Sequence, residues 1–231
     1  MTSEDAILLL EQQADEKHRI GLARYAIPTS KAIGVRMPAI RQIAKGIGRN
    51  QSLAEELWAI DLHEAKHLAA IIADPNTIQR ETIESWVREL YAWDVCDNLC
   101  DLIAKTPYGL ACAKAWCQEE GEFVKRSGFV TFVWYTVHQK EATNQEIIAF
   151  LPYISQHAWD DRNFVKKAIN WLLRQIGKRN LELNVHAIRL AEQLLEHPDK
   201  SARWIAKDAL RELTSNAVQE RLAKKEKRRS K

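Results

Sequence analysis

Apolar residues in this 231-residue chain recur at intervals of three and four almost from end to end, and strict alternation is nearly absent. That spacing lines one side of a helix, so the chain is predicted to be all-α. ILLLEQQADEKHRIGLARYA, ELWAI, HLAAIIAD, IESWVREL, VCDNLCDLIA, FVTFVWYTV, EIIAFLPYI, FVKKAINWLLRQI, AIRLAEQLL and RWIAKDALREL all read as helical. The loops between them are short, which favours antiparallel neighbours. Prolines set the register. Pro38, Pro75, Pro107, Pro152 and Pro198 are separated by 37, 32, 45 and 46 residues. Proline in the first turn of a helix sacrifices no hydrogen bond and marks a start. Units of roughly 40 residues, each with two or more helices, have the spacing of HEAT-like repeats. Such units stack into a curved solenoid with one concave face. A compact irregular helical bundle is the alternative.

With 46% hydrophobic and 28% charged residues, the chain has apolar surface enough for one large domain or a run of repeats. We expect a single repeat domain over 1–220 and a basic, disordered tail over 221–231. No stretch approaches the ~18 apolar residues of a membrane span. The acidic, amphipathic start MTSEDAILLLEQQADEKHR lacks the form of a signal peptide. Cys96, Cys100, Cys112 and Cys117 do not repeat a zinc-ribbon spacing and read as reduced thiols of a cytoplasmic protein.

The net charge of +3 is unevenly spread. Residues 1–120 carry 13 basic and 18 acidic side chains, a net of −5. Residues 121–220 carry 14 and 12, a net of +2, and residues 221–231 carry 7 and 1, a net of +6. Positive charge gathered in the second half suits a directional anionic partner. For the tail alone, a solvated segment that aids solubility is an equal reading.

Residues 63–67, HEAKH, match the zinc-protease pattern H-E-x-x-H. On a helix His63 and His67 lie one turn apart, with Glu64 beside them. The surroundings argue against a zinc site. LAAIIAD follows where a third ligand is needed, and nothing singles out Glu81, Glu84 or Glu89. The histidines are therefore expected to face solvent on a repeat helix, with no metal.

Two helices break the core pattern. In DRNFVKKAINWLLRQIGKRN, 161–180, Val165, Ile169, Leu172 and Ile176 form the core stripe. Lys167, Trp171, Arg174 and Lys178 have the same 4-3-4 spacing and form a second face, with no acidic residue from Arg162 to Asn180. An ordinary solvated face mixes signs. Three cations around an indole suit nucleic acid, unless Trp171 packs in the core and acids from other helices meet the cations. In KSARWIAKDALREL, 200–213, the stripe Lys200, Arg203, Lys207 and Arg211 is weakened by Asp208 and Glu212 beside it.

Two further stretches stand out. EFVKRSGFVTFVWYTV, 122–137, is apolar on all sides after Gly128 and should be central. Arg126 at its edge needs a carboxylate within the protein or a ligand phosphate. In YAWDVCDNLCD, 91–101, Trp93 and Asp97 share one helical face. Asp94 as an N-cap and Asp97 in the first turn would also satisfy the helix dipole.

These stretches resemble the AlkD-type DNA alkylation repair proteins, DNA glycosylases built from HEAT-like repeats. The similarity spans nearly the whole chain. It is carried by LARYAIPTSKAIGVRMPAIRQIAKGI, ELWAIDLHEAKHLAA, YAWDVCDNLC, VKRSGFVTF and, most specifically, FVKKAINWLLRQIGK with W-D-x-x-D. The resemblance implies that Asp97 is the catalytic carboxylate, with Trp93 and Trp171 beside the sugar. It implies that Arg126, Arg174 and Tyr25 lie near the lesion, and Lys167 and Lys178 extend the cationic face. The implied partner is double-stranded DNA with alkylated bases, bound by a monomer without cofactor. Ser127-Gly128 stands where better-known members have small apolar residues. Some relatives keep the fold, lack glycosylase activity and bind unusual DNA structures, so a silent DNA-structure binder is one alternative and a protein–protein adaptor another.

Overall fold

A computed structural model describes residues 1–229. Among the described residues there are fifteen α-helices, two short 3-10 turns and no strand. The expected repeat domain is built as two compact units, Met1–Gly109 and the chain from Leu110 onward. No helix among the described residues is long and apolar enough to cross a membrane.

The first unit contains α1 (Ser3–Glu11), α2 (Glu16–Gly21), α3 (Met37–Ile47), α4 (Gln51–Ala59), α5 (His63–Ile72), α6 (Arg80–Arg88) and α7 (Trp93–Ile103). The helix expected over 7–26 is interrupted, because Asp15 accepts the His18 amide at 2.9 Å and opens α2 as its N-cap. A 3-10 turn, Leu22–Tyr25, follows and closes on Ala26 with φ +57°. Pro38 sits in the first turn of α3, as the punctuation argument requires, whereas Pro75, Pro107 and Pro198 lie in the turns between helices. Helix α5 is the centre of this unit, with nine of its ten residues buried. Its Leu68 and Ile72 join Ile40, Leu57, Ile83 and Leu99, all at most 1% exposed. Each such side chain stabilises the fold by about 1.5–3 kcal/mol. Trp58 and Trp86 stack at 4.4 Å and couple α4 to α6.

α8 (Gly109–Trp116) begins at the boundary. The second unit continues with α9 (Glu122–His138), α10 (Asn144–Ile148), α11 (Leu151–His157), α12 (Asn163–Gly177), α13 (Leu181–Leu195), α14 (Lys200–Leu213) and α15 (Asn216–Arg229). Helix α9 is central, with every residue from Lys125 to Val133 buried. Gly128 lets it approach α8: a Cβ there would lie 2.7 Å from the Cys117 amide nitrogen and 2.8 Å from the Ala113 carbonyl oxygen. On another side Phe132 stacks on Phe150 at 4.3 Å. Arg179 donates to the carbonyls of Thr136, Gln139, Lys140 and Ala142, which fixes the chain leaving α9.

The tail departs from expectation. Residues 216–229 form α15, and Val218 and Leu222 pack inward at 6% and 0% exposure. The apolar pair, four residues apart, gives the segment a buried stripe that its basic composition masks. Residues 230 and 231 of the expected disordered segment lie outside the described residues. All four cysteines are buried and unbridged.

Candidate functional site

Tyr25 and Trp93, 68 positions apart in sequence, are brought together in the first unit. The Trp93 indole N–H donates to the Tyr25 carbonyl at 2.9 Å, and the ring packs on Leu22, Ile27 and Ala32. The Tyr25 side chain is 58% exposed beside this anchor. Ala26, next in the chain, holds a left-handed conformation that adds roughly 1 kcal/mol of strain for a residue with a Cβ. Asp97 lies one turn along α7 from Trp93, on the same face and half-buried.

The loop that follows Tyr25 is held at its far end by Glu64. Its Oε1 accepts the amides of Ile33, Gly34 and Val35 at 3.2, 2.7 and 3.1 Å. Gly34 has φ +87°, and a Cβ there would fall 2.2 Å from the Asp15 carbonyl oxygen. The glutamate of H-E-x-x-H is thereby committed to backbone and is not poised to activate a water.

The whole HEAKH segment is buried, not solvent-facing as expected. His63, Glu64 and His67 are 3%, 1% and 2% exposed. Lys66 donates to the Trp58 carbonyl at 2.9 Å and lies 4.4 Å from the Trp58 ring centre. The cause is the position of α5: it is apolar all round from Leu68 to Ile72, so it occupies the centre and carries its polar residues inward.

The two histidines converge on Asp94. Asp94 Oδ2 is 3.0 Å from His63 Nε2 and 3.2 Å from His67 Nε2, and the two nitrogens are 3.2 Å apart. Asn98 Nδ2 lies 2.6 Å from His67 Nδ1, and Tyr91 Oη lies 3.5 Å from His63 Nδ1. Burial works to raise the Asp94 pKa, but the hydrogen bonds from both imidazoles outweigh it and hold the carboxyl well below the usual range. Burial also pushes the His67 pKa down, against the pull of Asp94. The sequence suggested Asp94 as the N-cap of α7. That position belongs to Ala92, which has no side chain to offer the cap hydrogen bond; Asp94 Oδ1 accepts the Val95 amide and Oδ2 faces the imidazoles.

In the second unit, Trp171 meets Trp134 edge to face at 5.8 Å. The cationic face of α12 is partly met by α14. Arg174 pairs with Glu212 at 2.8 Å and Asp208 at 3.4 Å, and Lys178 pairs with Glu212 at 2.7 Å. Burial alone would raise the Glu212 pKa, but Lys178 and Arg174 together lower it. Lys167 is exposed and makes no ion pair among the described residues. Arg126 is 4% exposed and donates to the Phe164 carbonyl at 2.7 Å, which ties α9 to the start of α12. Sequence reasoning allowed that acids from other helices meet these cations but did not identify them, because Asp208 and Glu212 lie 34 to 38 positions downstream and nothing local announces the packing.

Residues 6–213 match the family model described as DNA alkylation repair enzyme. No curated protein matches the chain. Among solved structures, the fold aligns with a TM-score of 0.78 and 21% identity to a protein of "a new family of proteins related to the HEAT-like repeat DNA glycosylases with affinity for branched DNA structures", over 91% of this chain and 95% of that one. The HEAT-like helical repeat fold read from the proline spacing is thus the fold observed. An engineered protein aligns over 93% of this chain and 99% of its own, at 18% identity and a TM-score of 0.44, too weak a likeness to bear on the fold.

Proposed function

This chain belongs to the DNA alkylation repair enzyme family, and on that premise we propose that it is a DNA glycosylase releasing positively charged N3- and N7-alkylated purines from duplex DNA. The cationic base is a good leaving group, so the reaction needs little acid catalysis. Charge develops on the sugar as the glycosidic bond breaks. The Asp97 carboxylate stabilises that oxocarbenium-like sugar and orients the attacking water. Trp93, on the same helix, offers a π face to that cation. The observation that carries this reading is the fixed register of Trp93, one turn before Asp97, within a chain matching the family over nearly its whole length.

Phosphate contact falls first to Lys167, which is exposed and without an ion pair among the described residues. Arg174 and Lys178 join by exchanging Glu212 for phosphate oxygens. Arg126, buried on the Phe164 carbonyl, supports the reaction by holding α9 and α12 in place.

A second reading is a DNA-structure binder without base release. Its support is the affinity for branched DNA ascribed to the family of the structural relative, and the internal pairing of the α12 cations. One experiment separates the two: release of free N7-methylguanine from methylated duplex by the wild type and by Asp97→Asn, with duplex binding measured in parallel. Release by the wild type that vanishes in the variant, with binding retained, is the expected result. Undiminished release by the variant removes Asp97 from the chemistry. Binding without release by the wild type favours the second reading.

A further inference from the structure

The interior of the first unit contains a set of donors that base release does not use. We propose that His63 Nε2, His67 Nε2 and Asp94 Oδ2 form a binding site for one divalent transition-metal ion of the Zn²⁺ class, joining α5 to α7. Three observations carry it. First, the atoms stand 3.0, 3.2 and 3.2 Å apart. Donors at ~2.0–2.2 Å from one ion stand roughly 2.9 Å apart at octahedral angles and roughly 3.4 Å apart at tetrahedral ones. The observed triangle falls between these limits. Second, the ligand types fit: two imidazoles and one carboxylate suit Zn²⁺, Co²⁺ or Fe²⁺ and not Mg²⁺ or Ca²⁺. Third, the imidazoles are oriented from behind, by Asn98 at His67 Nδ1 and Tyr91 at His63 Nδ1, as ligating histidines commonly are.

Proton placement is consistent with both the filled and the unfilled site. Without an ion, each Nε2–H can donate to Asp94 Oδ2, and each Nδ1 accepts from Asn98 or Tyr91. With an ion, each Nε2 gives its lone pair to the metal and Nδ1 carries the proton. The Asn98 amide then turns to present its oxygen to His67, and the Tyr91 oxygen accepts from His63. Asp94 is 20% exposed, which leaves an approach for the ion and for a water as a further ligand. Glu64 is occupied by backbone amides, so the site lacks the general base of a zinc peptidase. The ion's effect is positional: it fixes the first turn of α7, between Trp93 and Asp97. The inference is independent of whether the chain releases bases.

The test uses the full chain, stripped with EDTA and exchanged into metal-free buffer, then titrated with Co²⁺ and with Zn²⁺. The expected result is one equivalent bound and a visible Co²⁺ d–d spectrum free of thiolate charge-transfer bands. With ion at a hundredfold excess over Kd, Tm should rise by roughly 5–10 °C. Asp94→Asn and His67→Gln should each lose the bound equivalent and the shift, with circular dichroism reporting that they remain helical. If both variants unfold, the wild-type stoichiometry and spectrum still decide. A folded wild type that binds no ion and shows no Tm shift reduces the cluster to a hydrogen-bond network. Binding undiminished in both variants, or a Co²⁺–thiolate band, places the ion elsewhere and overturns the assignment.

Discussion

The indole N–H of Trp93 and the carbonyl oxygen of Tyr25 meet at 2.9 Å, joining the first turn of α7 to the 3-10 turn that precedes the 26–36 loop. Trp93→Phe keeps a ring on Leu22, Ile27 and Ala32 and removes the donor. The variant should lose about 1 kcal/mol of stability in urea unfolding. Release of N7-methylguanine should fall further than that loss explains, because Tyr25 is no longer held in register. Release unchanged beside the lower stability would make the contact purely structural.

Glu64 gathers the amides of residues 33–35. Glu64→Gln keeps the Oε1 acceptor but puts an NH2 group where Oε2 accepts the Ile33 amide at 3.1 Å, so two donors face each other. A destabilisation of about 2–3 kcal/mol is expected, read from chemical denaturation. Gly34→Ala should do comparable damage by a different route, since its Cβ would fall on the Asp15 carbonyl oxygen. Either variant behaving like the wild type would show that the loop has a second arrangement of similar energy.

Glu212 restrains two cations of α12. In Glu212→Gln the charges of Arg174 and Lys178 lose their shared counterion, and duplex affinity at low salt should rise a few-fold. The slope of log affinity against log salt should steepen by about one for each cation that reaches a phosphate. Lys167→Ala should do the reverse. If neither variant moves the slope, this face of α12 does not meet the backbone of DNA.

Asp160 gives the second unit an acid-sensitive element. Burial alone would raise its pKa, but Arg162, at 2.6 Å, and Lys125 keep it below the usual value. An unfolded aspartate titrates near ~3.9. The carboxylate's contribution is therefore fully present above that pH and is lost as pH falls through the lowered folded value. Asp160→Asn should be less stable at neutral pH, because Lys125 is buried without its charge partner. The wild-type and variant stability curves should converge below about pH 4. Parallel curves would mean that Asp160 does not titrate between the folded and unfolded states.

Much of this was legible in the chain. The 4-3-4 spacing of Val165, Ile169, Leu172 and Ile176 marked a core stripe, and all four are fully buried. The apolar run after Gly128 marked α9 as central, and it is. Periodicity reports which face of a helix is apolar, so it succeeds where burial follows that face. It fails where a partner comes from far along the chain. Nothing near Arg174 or Lys178 foretells Glu212, and nothing near HEAKH foretells Asp94. Those pairings depend on how helices stack, which the hydrophobic pattern of a single helix does not encode. The basic tail misled for a related reason: two apolar residues, Val218 and Leu222, suffice to seat a helix whose other side chains are mostly charged.

Gly128 is a spacer of zero thickness. Helix α9 has Ala113 and Cys117 behind it and the Arg126–Phe164 tie on its other side, so neither flank has slack to give. A single added methyl group would act as a shim driven between two beams. The displacement would pass through α9 and emerge as a misaligned guanidinium at the head of α12.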